Sequence, residues 1–343
     1  SSIELGNRII LKNKGKDDGM IIKYNARGEV EWAEGIGGTS DDRISSVSET
    51  SDGGYIVRGY FRSNNIDLGN GVSLTYKGFD GKMIIKYNAR GEVEWAEGIG
   101  GTSSDSIKSL AETSDGGYIV GGELASSSIE LGNGICLTNK NSYYSDGMLI
   151  KYNARGEIEW AEGIGGTDDD YINSVACTSD GGYIVGGKFA SRSIDLGNGI
   201  SLTNKGSSDG MIIKYDKEGQ VEWAKEIGGT GYEEIESVAE TSDGGYIVGG
   251  YFKSSSIDLG NGKSLINKGD TDGMVLKIIA QAGVPEVQEL EIENNRKEFK
   301  ITTDIKEIDN IKGGSISGED KKEYEKIKYG DSSIKEIKMI PDE

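Results

Sequence analysis

The groups best able to do chemistry in this chain are carboxylates, and they recur in register. An acidic loop follows each G-G-T triplet or its counterpart: Asp41 and Asp42, Asp105, Asp168 to Asp170, then Glu233 and Glu234. Two opposed carboxylates can hydrolyse a glycoside, and several converging on one point can hold calcium. Calcium wants an ordered run of oxygen ligands, and no copy shows the D-x-D-x-D-G spacing that would supply one. The expectation is solvated loop carboxylates and no cofactor. Were Ca2+ to bind, Asp41, Asp42, Asp105, Asp168, Asp169 and Asp170 would be its ligands. A second row, Asp52, Asp115, Asp180 and Asp243, lies in S-D-G-G, where a turn-forming role suffices. The chain has no histidine, which removes the commonest general base and metal ligand.

Symmetry weighs against catalysis. An active site needs different groups in different roles around one substrate, whereas here the same residues return copy after copy. The departures are few: Arg58 where other copies have Gly, Tyr143 and Tyr144 in an insert, and Gly231-Tyr232 in the last loop. None completes a nucleophile, base and oxyanion set. No residue is expected to be catalytic, and Tyr143, Tyr144, Arg58 and Tyr232 are the expected ligand contacts. A carboxylate-based glycosidase stays as the enzymatic alternative.

The elements that must position these residues follow from the repeat. Trp32, Trp95, Trp160 and Trp223 are spaced 63, 65 and 63 residues apart, and the S-D-G-G-Y-I-V motif keeps the same intervals. Each unit reads as four strands plus an added hairpin. Alternating runs such as Ile44 to Glu49 and Tyr55 to Val57 flank a D-G pair, expected to form a type I′ turn. A Met-Ile-Ile-Lys-Tyr strand, an Asn-Ala-Arg-Gly turn and a Trp-bearing strand follow. The G-N-G of the insert, as in Ser193 to Gly206, predicts the tip of a projecting hairpin. A four-stranded antiparallel unit cannot bury both faces alone, but copies stacked around an axis can. The tryptophans are expected in the core between blades rather than as sugar-stacking platforms.

The Met-Ile-Ile-Lys run occurs five times, from Met20 to Met274, and the Trp strand four. That offset suits a ring closed by strands from both ends, with Glu29 to Ile36 completing the final blade. It suits a portion of a larger ring equally well. The 54 glycines and 2 prolines fit many tight turns. A net charge of −20 argues against nucleic acid and anionic membranes as partners. No transmembrane run is visible, so no membrane insertion is expected in this segment. Ser1 falls inside a copy of the unit, so signal and anchor are expected outside it. Cys136 stands where sister copies have Ser and Cys177 where they have Glu, and nothing in the pattern pairs them.

The run D-G-M-I-I-K-Y-N-A-R-G-E-V-E-W-A-E-G-I-G-G-T, followed by S-D-G-G-Y-I-V, resembles the bacterial β-propeller repeat of large secreted and surface proteins. The resemblance covers about residues 1–280 and implies the fold, not an activity. Beyond it, Gly313 to Gly318, Tyr329-Gly330-Asp331 and Ile340-Pro341-Asp342-Glu343 resemble a surface repeat of the internalin B type, which implies a stalk or spacer at a bacterial surface.

The resulting expectation is an all-β chain. Residues 1–280 form a β-propeller of four-stranded antiparallel blades, four to five of them. Residues 281–286 form a linker, and 287–343 a small, incomplete β-domain. Its function is expected to be non-enzymatic binding or adhesion, extracellular or at a cell surface, to a protein or glycan. The alternatives are a glycoside hydrolase or sugar-binding accessory, and a purely structural spacer.

Overall fold

The computed structural model describes residues 2–5, 8–75, 78, 81–260, 262–281, 284–289, 292–295 and 298–301. Every regular element among them is a β-strand. No described helix is long and apolar enough to cross a membrane.

Four sheets are four-stranded, antiparallel and built alike. The first blade runs Asp42–Glu49, Tyr55–Phe61, Gly81–Tyr87 and Val93–Ile99 in spatial order. The second uses Ser106–Glu112, Tyr118–Leu124, Asp146–Tyr152 and Ile158–Ile164. The third uses Asp170–Cys177, Tyr183–Phe189, Asp209–Tyr215 and Val221–Ile227. The fourth uses Glu233–Glu240, Tyr246–Phe252, Asp272–Gln281 and Val284–Glu289. A leading pair, Gly19–Tyr24 with Val30–Ile36, repeats only the outer half of this plan.

Blades stack face to face in sequence order, the arrangement of a β-propeller. The first strand of each blade is innermost. That of the third blade lies against the first three strands of the second, and that of the fourth against the first three of the third. Apolar side chains therefore fill both faces of the third strands, and Asp146–Tyr152 and Asp209–Tyr215 are buried throughout. Each tryptophan crosses to the next blade. Trp32 meets Tyr55 at 5.6 Å, Trp95 meets Tyr118 at 5.6 Å, Trp160 meets Tyr183 at 5.9 Å, and Trp223 meets Tyr246 at 5.6 Å.

Two turn assignments change. In T-S-D-G-G the Gly53 amide donates to the Thr50 carbonyl and only Gly53 has positive φ, at 79°. Asp52 keeps ordinary φ, so this is a three-residue hairpin loop rather than type I′. The type I′ geometry belongs to the insert, where Asn70 and Gly71 have φ of 52° and 79°. Nor does the insert hairpin project along its length. Its Ile66 and Leu74 are buried, and the second insert strand packs on the outer strand of its own blade; the glycines at its tip face open space.

Of the linker expected at 281–286, Gln281 and Val284 to Glu286 lie in strands instead. Val284–Glu289 pairs with Asp272–Gln281 and forms the outer edge of the fourth blade. Val287 is buried there in a cluster with Trp223, and Pro285, lacking an amide hydrogen, is tolerated on an edge strand. Glu29 to Ile36 therefore does not complete this blade; Val30–Ile36 pairs with Gly19–Tyr24. Beyond it, Ile292–Asn295 pairs with Glu298–Ile301, and the expected domain from residue 302 onward lies outside the described residues.

Candidate functional site

Differences between copies gather at one end of the blades. At the other end the T-S-D-G-G-Y turn is the same in all four copies, and the departures are Cys177 in place of Glu and Asp216 to Gln220 in place of N-A-R-G-E. There Lys86, Lys151 and Lys214, buried in the third strands, reach Asp52 at 2.8 Å, Asp115 at 3.0 Å and Asp180 at 2.9 Å, and Lys277 reaches Asp243. Each of the first three also meets a glutamate of the outer strand, Glu94 at 2.9 Å, Glu159 at 2.9 Å and Glu222 at 3.1 Å. The row Asp52, Asp115, Asp180 and Asp243 thus caps its own turn and anchors a buried ammonium. The buried lysine was visible in sequence as a cation inside every Met-Ile-Ile-Lys-Tyr strand.

At the opposite end the acidic loops do not converge. Asp42 accepts from the Gly38, Arg62 and Ser63 amides and from the Ser63 hydroxyl. Asp105 does the same with Gly101, Ala125 and Ser126, and Asp170 with Gly166, Ala190 and Ser191. Four donors occupy each buried carboxylate, which fastens the loop to the second strand of its own blade and has no capacity left to ligate calcium. Asp41 pairs with Lys16 at 3.1 Å, Asp168 accepts from the Asp169 amide, and Asp169 accepts from the Ser145 amide. Among the described residues no three acidic or thiol side chains form a metal-sized group.

The varied positions lie around these fasteners. A β-bulge in each innermost strand releases one residue: Ser45, Lys108, Asn173 or Glu236. The first paired row beyond the fasteners reads Arg43 and Tyr60, Ser106 and Glu123, Tyr171 and Lys188, Glu234 and Tyr251. Across three blades these side chains interlock. Lys108 donates to Asn173 at 2.9 Å, and Asn173 donates to Glu234 at 2.7 Å. The Tyr232 and Tyr251 hydroxyls donate to Glu234 at 2.6 Å and 2.9 Å. Burial opposes the Glu234 charge, but the bonds from Tyr232, Asn173 and Tyr251 outweigh it and hold its carboxyl below the ordinary range. The tyrosine rings alternate with cations: Lys108 and Lys188 each lie 4.5 Å from the Tyr171 centroid, and Lys188 lies 4.7 Å from that of Tyr232.

Of the four expected contacts, Tyr232 belongs to this cluster. Tyr143 and Tyr144 lie on the same end, both exposed, in a loop whose Ser145 hydroxyl donates to Glu123 at 2.9 Å. Arg58 does not join them. It is half-buried between blades and donates to the Ile107 carbonyl at 2.8 Å, so it is a packing residue rather than a surface contact. Lys108, Tyr171, Asn173, Lys188 and Tyr251 escaped the sequence reading, and Glu234 entered it only as one of the loop carboxylates. Aligning the copies column by column exposes them as the positions that change where everything else is kept.

No family model matches the chain. It is similar to the regulatory protein FlaEY of Caulobacter vibrioides, 24% identical over 225 residues, which are 61% of this chain and 23% of that protein. It is also similar to an uncharacterized WD repeat-containing protein of Acanthamoeba polyphaga mimivirus, 24% identical over 318 residues, 75% of this chain and 23% of that one. The chain therefore spans about a quarter of the length of these curated relatives. Among solved structures it is similar to BamB from Moraxella catarrhalis, with TM-score 0.22 and 11% identity over 68% of this chain and 77% of that chain. Likeness at that level adds nothing to the sheet topology, which by itself makes this a repeat protein of propeller blades.

Proposed function

We propose that this chain is a non-enzymatic binding module, secreted or carried at a cell surface, whose varied blade end grips a protein partner. The observation that carries this reading is that neighbouring side chains at one end of the blades differ from copy to copy and interlock across three blades. Divergence of adjoining surface side chains is what a recognition face on a repeat scaffold requires. Tyrosine, lysine and a buried, fully hydrogen-bonded carboxylate supply rigid amphipathic area and fixed polar groups. Two lysines already lie 4.5 Å from the Tyr171 centroid, which favours a polypeptide over a sugar that would stack on a bare ring.

The test uses the purified chain on an extracellular-protein array, a glycan array and a polysaccharide panel for hydrolysis. Binding to a protein, weakened at least tenfold by Tyr232→Ala and by Lys188→Glu but not by Lys217→Glu in a distant exposed turn, is the expected result. Polysaccharide turnover lost in Glu234→Gln would overturn it in favour of an enzyme. Protein binding indifferent to Tyr232 and Lys188 would place the interface elsewhere.

A further inference from the structure

Next to Tyr232, two buried carboxyl groups face each other across a blade junction. Asp209 opens the third strand of the third blade and Glu233 the first strand of the fourth, and both are 0% exposed. The loop that leads into Glu233 passes directly over Asp209, where a Cβ on Gly228 would lie 2.1 Å from the Asp209 Cγ. The Ser207 amide donates to the Gly231 carbonyl at 2.7 Å and the Glu233 amide to the Ser208 carbonyl at 2.9 Å. Tyr232 is therefore carried on a segment stitched to the residues just before Asp209.

The two carboxyls are unequally provided. Glu233 takes the Gly229 amide at 2.7 Å on Oε2 and the Ser254 amide at 2.9 Å on Oε1. Asp209 takes the Lys205 amide at 3.1 Å on Oδ2, while its Oδ1 is buried with no hydrogen-bond partner. The charged groups facing Asp209 are Glu233, Lys205 and Glu226, and the last two pair with each other at 3.4 Å. Burial, with the Glu233 and Glu226 charges adding to it against Lys205, pushes the Asp209 carboxyl up to about 6. The preceding junction repeats the plan: the Gly166 amide donates to Asp170 at 2.9 Å and also serves Asp146, and burial raises both carboxyls.

We infer that Asp209 and Glu233 share a single proton and form an acid-closed latch, which holds the segment carrying Tyr232 against the third blade. With the proton on Oδ1, one of two facing charges disappears and the orphaned oxygen gains a hydrogen to share with its neighbour. When the proton leaves, two buried carboxylates repel and the loop from Gly228 to Tyr232 loosens. A folded value above the ordinary carboxylate range means that this contribution is most favourable at mildly acidic pH and is lost as pH rises through about 6. Only the consequence, a more firmly presented Tyr232 in mild acid, rests on the recognition face proposed above.

The test follows the carboxyl and the loop in the whole chain. With side-chain carboxyls labelled with carbon-13, the resonance that disappears in Asp209→Asn is expected to titrate with a midpoint above about pH 5, and Glu233→Gln to move that midpoint down. Asparagine keeps an acceptor for the Lys205 amide and supplies a permanent hydrogen in place of the proton. As pH falls from about 7.5 to about 5 the wild-type urea midpoint is expected to rise; Asp209→Asn should start higher and rise less. Over the same interval the amides of Gly229 to Glu234, corrected for intrinsic exchange, should slow at least about threefold in the wild type and not in Asp209→Asn. An Asp209 carboxyl titrating below about pH 4.5, a variant that copies the wild-type pH profile, or loop exchange indifferent to pH would each overturn the proposal. No partner enters these measurements, so a failed latch is distinguishable from a failed binding face.

Discussion

The junction between the first and second blades and the junction between the third and fourth are built from nearly the same sequence, yet they close differently. At the latter, Gly186 receives Ile235 and Val238; a Cβ added there would lie 2.5 Å from a Val238 methyl. The Val238 amide also donates to the Ser174 hydroxyl at 3.2 Å, and Ser179 is held by Glu240 at 2.7 Å and 2.9 Å. At the former, Arg58 replaces that glycine. Its side chain keeps the sheets apart, a cavity of about 20 Å³ opens beside Leu110, and among the described residues no strand of the first blade approaches the second as closely as strands do elsewhere. The serine clasp survives there, with Ser51 held by Glu112 at 2.8 Å and 2.7 Å. The junction between the second and third blades is the converse. Gly121 receives Ile172 and Val175, but Cys177 stands in place of the clasping glutamate. Glycine governs how closely blades approach, and the glutamate adds a peripheral fastening.

The largest effect that follows is for Gly186→Arg, which copies the first junction into the third. It should cost about 3 kcal/mol or more, because Ile235 and Val238 lose their seat and the fourth blade lifts; equilibrium denaturation with the domain intact measures it. A cost below about 1 kcal/mol would show that glycine does not control the approach. The reverse change, Arg58→Gly, should leave stability unchanged or raise it.

Next in size is Lys214→Ala, which empties a fully buried side-chain site and leaves Asp180 and Glu222 without their shared cation. About 2–3 kcal/mol is expected. Because every blade carries such a lysine, this loss should not depend on which junction is nearby, and Lys151→Ala should match it.

Acid should act on all blades together. The Lys86 ammonium, with Thr50 and Gly54, holds Asp52 at about 2, and Lys277 with Thr241 does the same for Asp243 at about 2. At Asp115 burial opposes the charge, but bonds from Thr113, Gly117 and Lys151 outweigh it and leave the carboxyl at about 2. Folded values below the ordinary carboxylate range mean that this stabilisation is complete above about pH 4 and is lost as pH falls toward 2. Denaturation midpoints measured from pH 5 to 2 should fall through that window, and Asp52→Asn should flatten the fall.

The smallest change expected is for Cys177→Glu, which restores the clasp on Ser114. A gain of up to about 1 kcal/mol is predicted, and no gain would show that the fastening matters only where the glycine seat is also present.

The fold was readable because the repeat states it four times: alternating strands, D-G-G turns and one tryptophan per unit leave few arrangements that cover both faces. The fourth blade's outer strand was missed because Val284–Glu289 shares no sequence with the Trp strands it replaces; burial of Val287 and an edge that tolerates Pro285 suffice. Arg58 was noticed, but its role was hidden. A glycine position is defined by what approaches it from the next blade, and a single sequence does not display that approach. Tyr232 was found as an oddity in a loop and Glu234 only as a loop carboxylate, whereas Lys188 and Asn173 lay inside strands whose alternation looked ordinary.

Native-state hydrogen exchange on the unmodified chain tests the role of the glycine seat most directly. If it sets the closure of each junction, the amides of Ile107 to Leu110, which face Arg58, exchange at least about tenfold faster than those of Ile172 to Val175, which face Gly121. Equal protection in the two segments would contradict it.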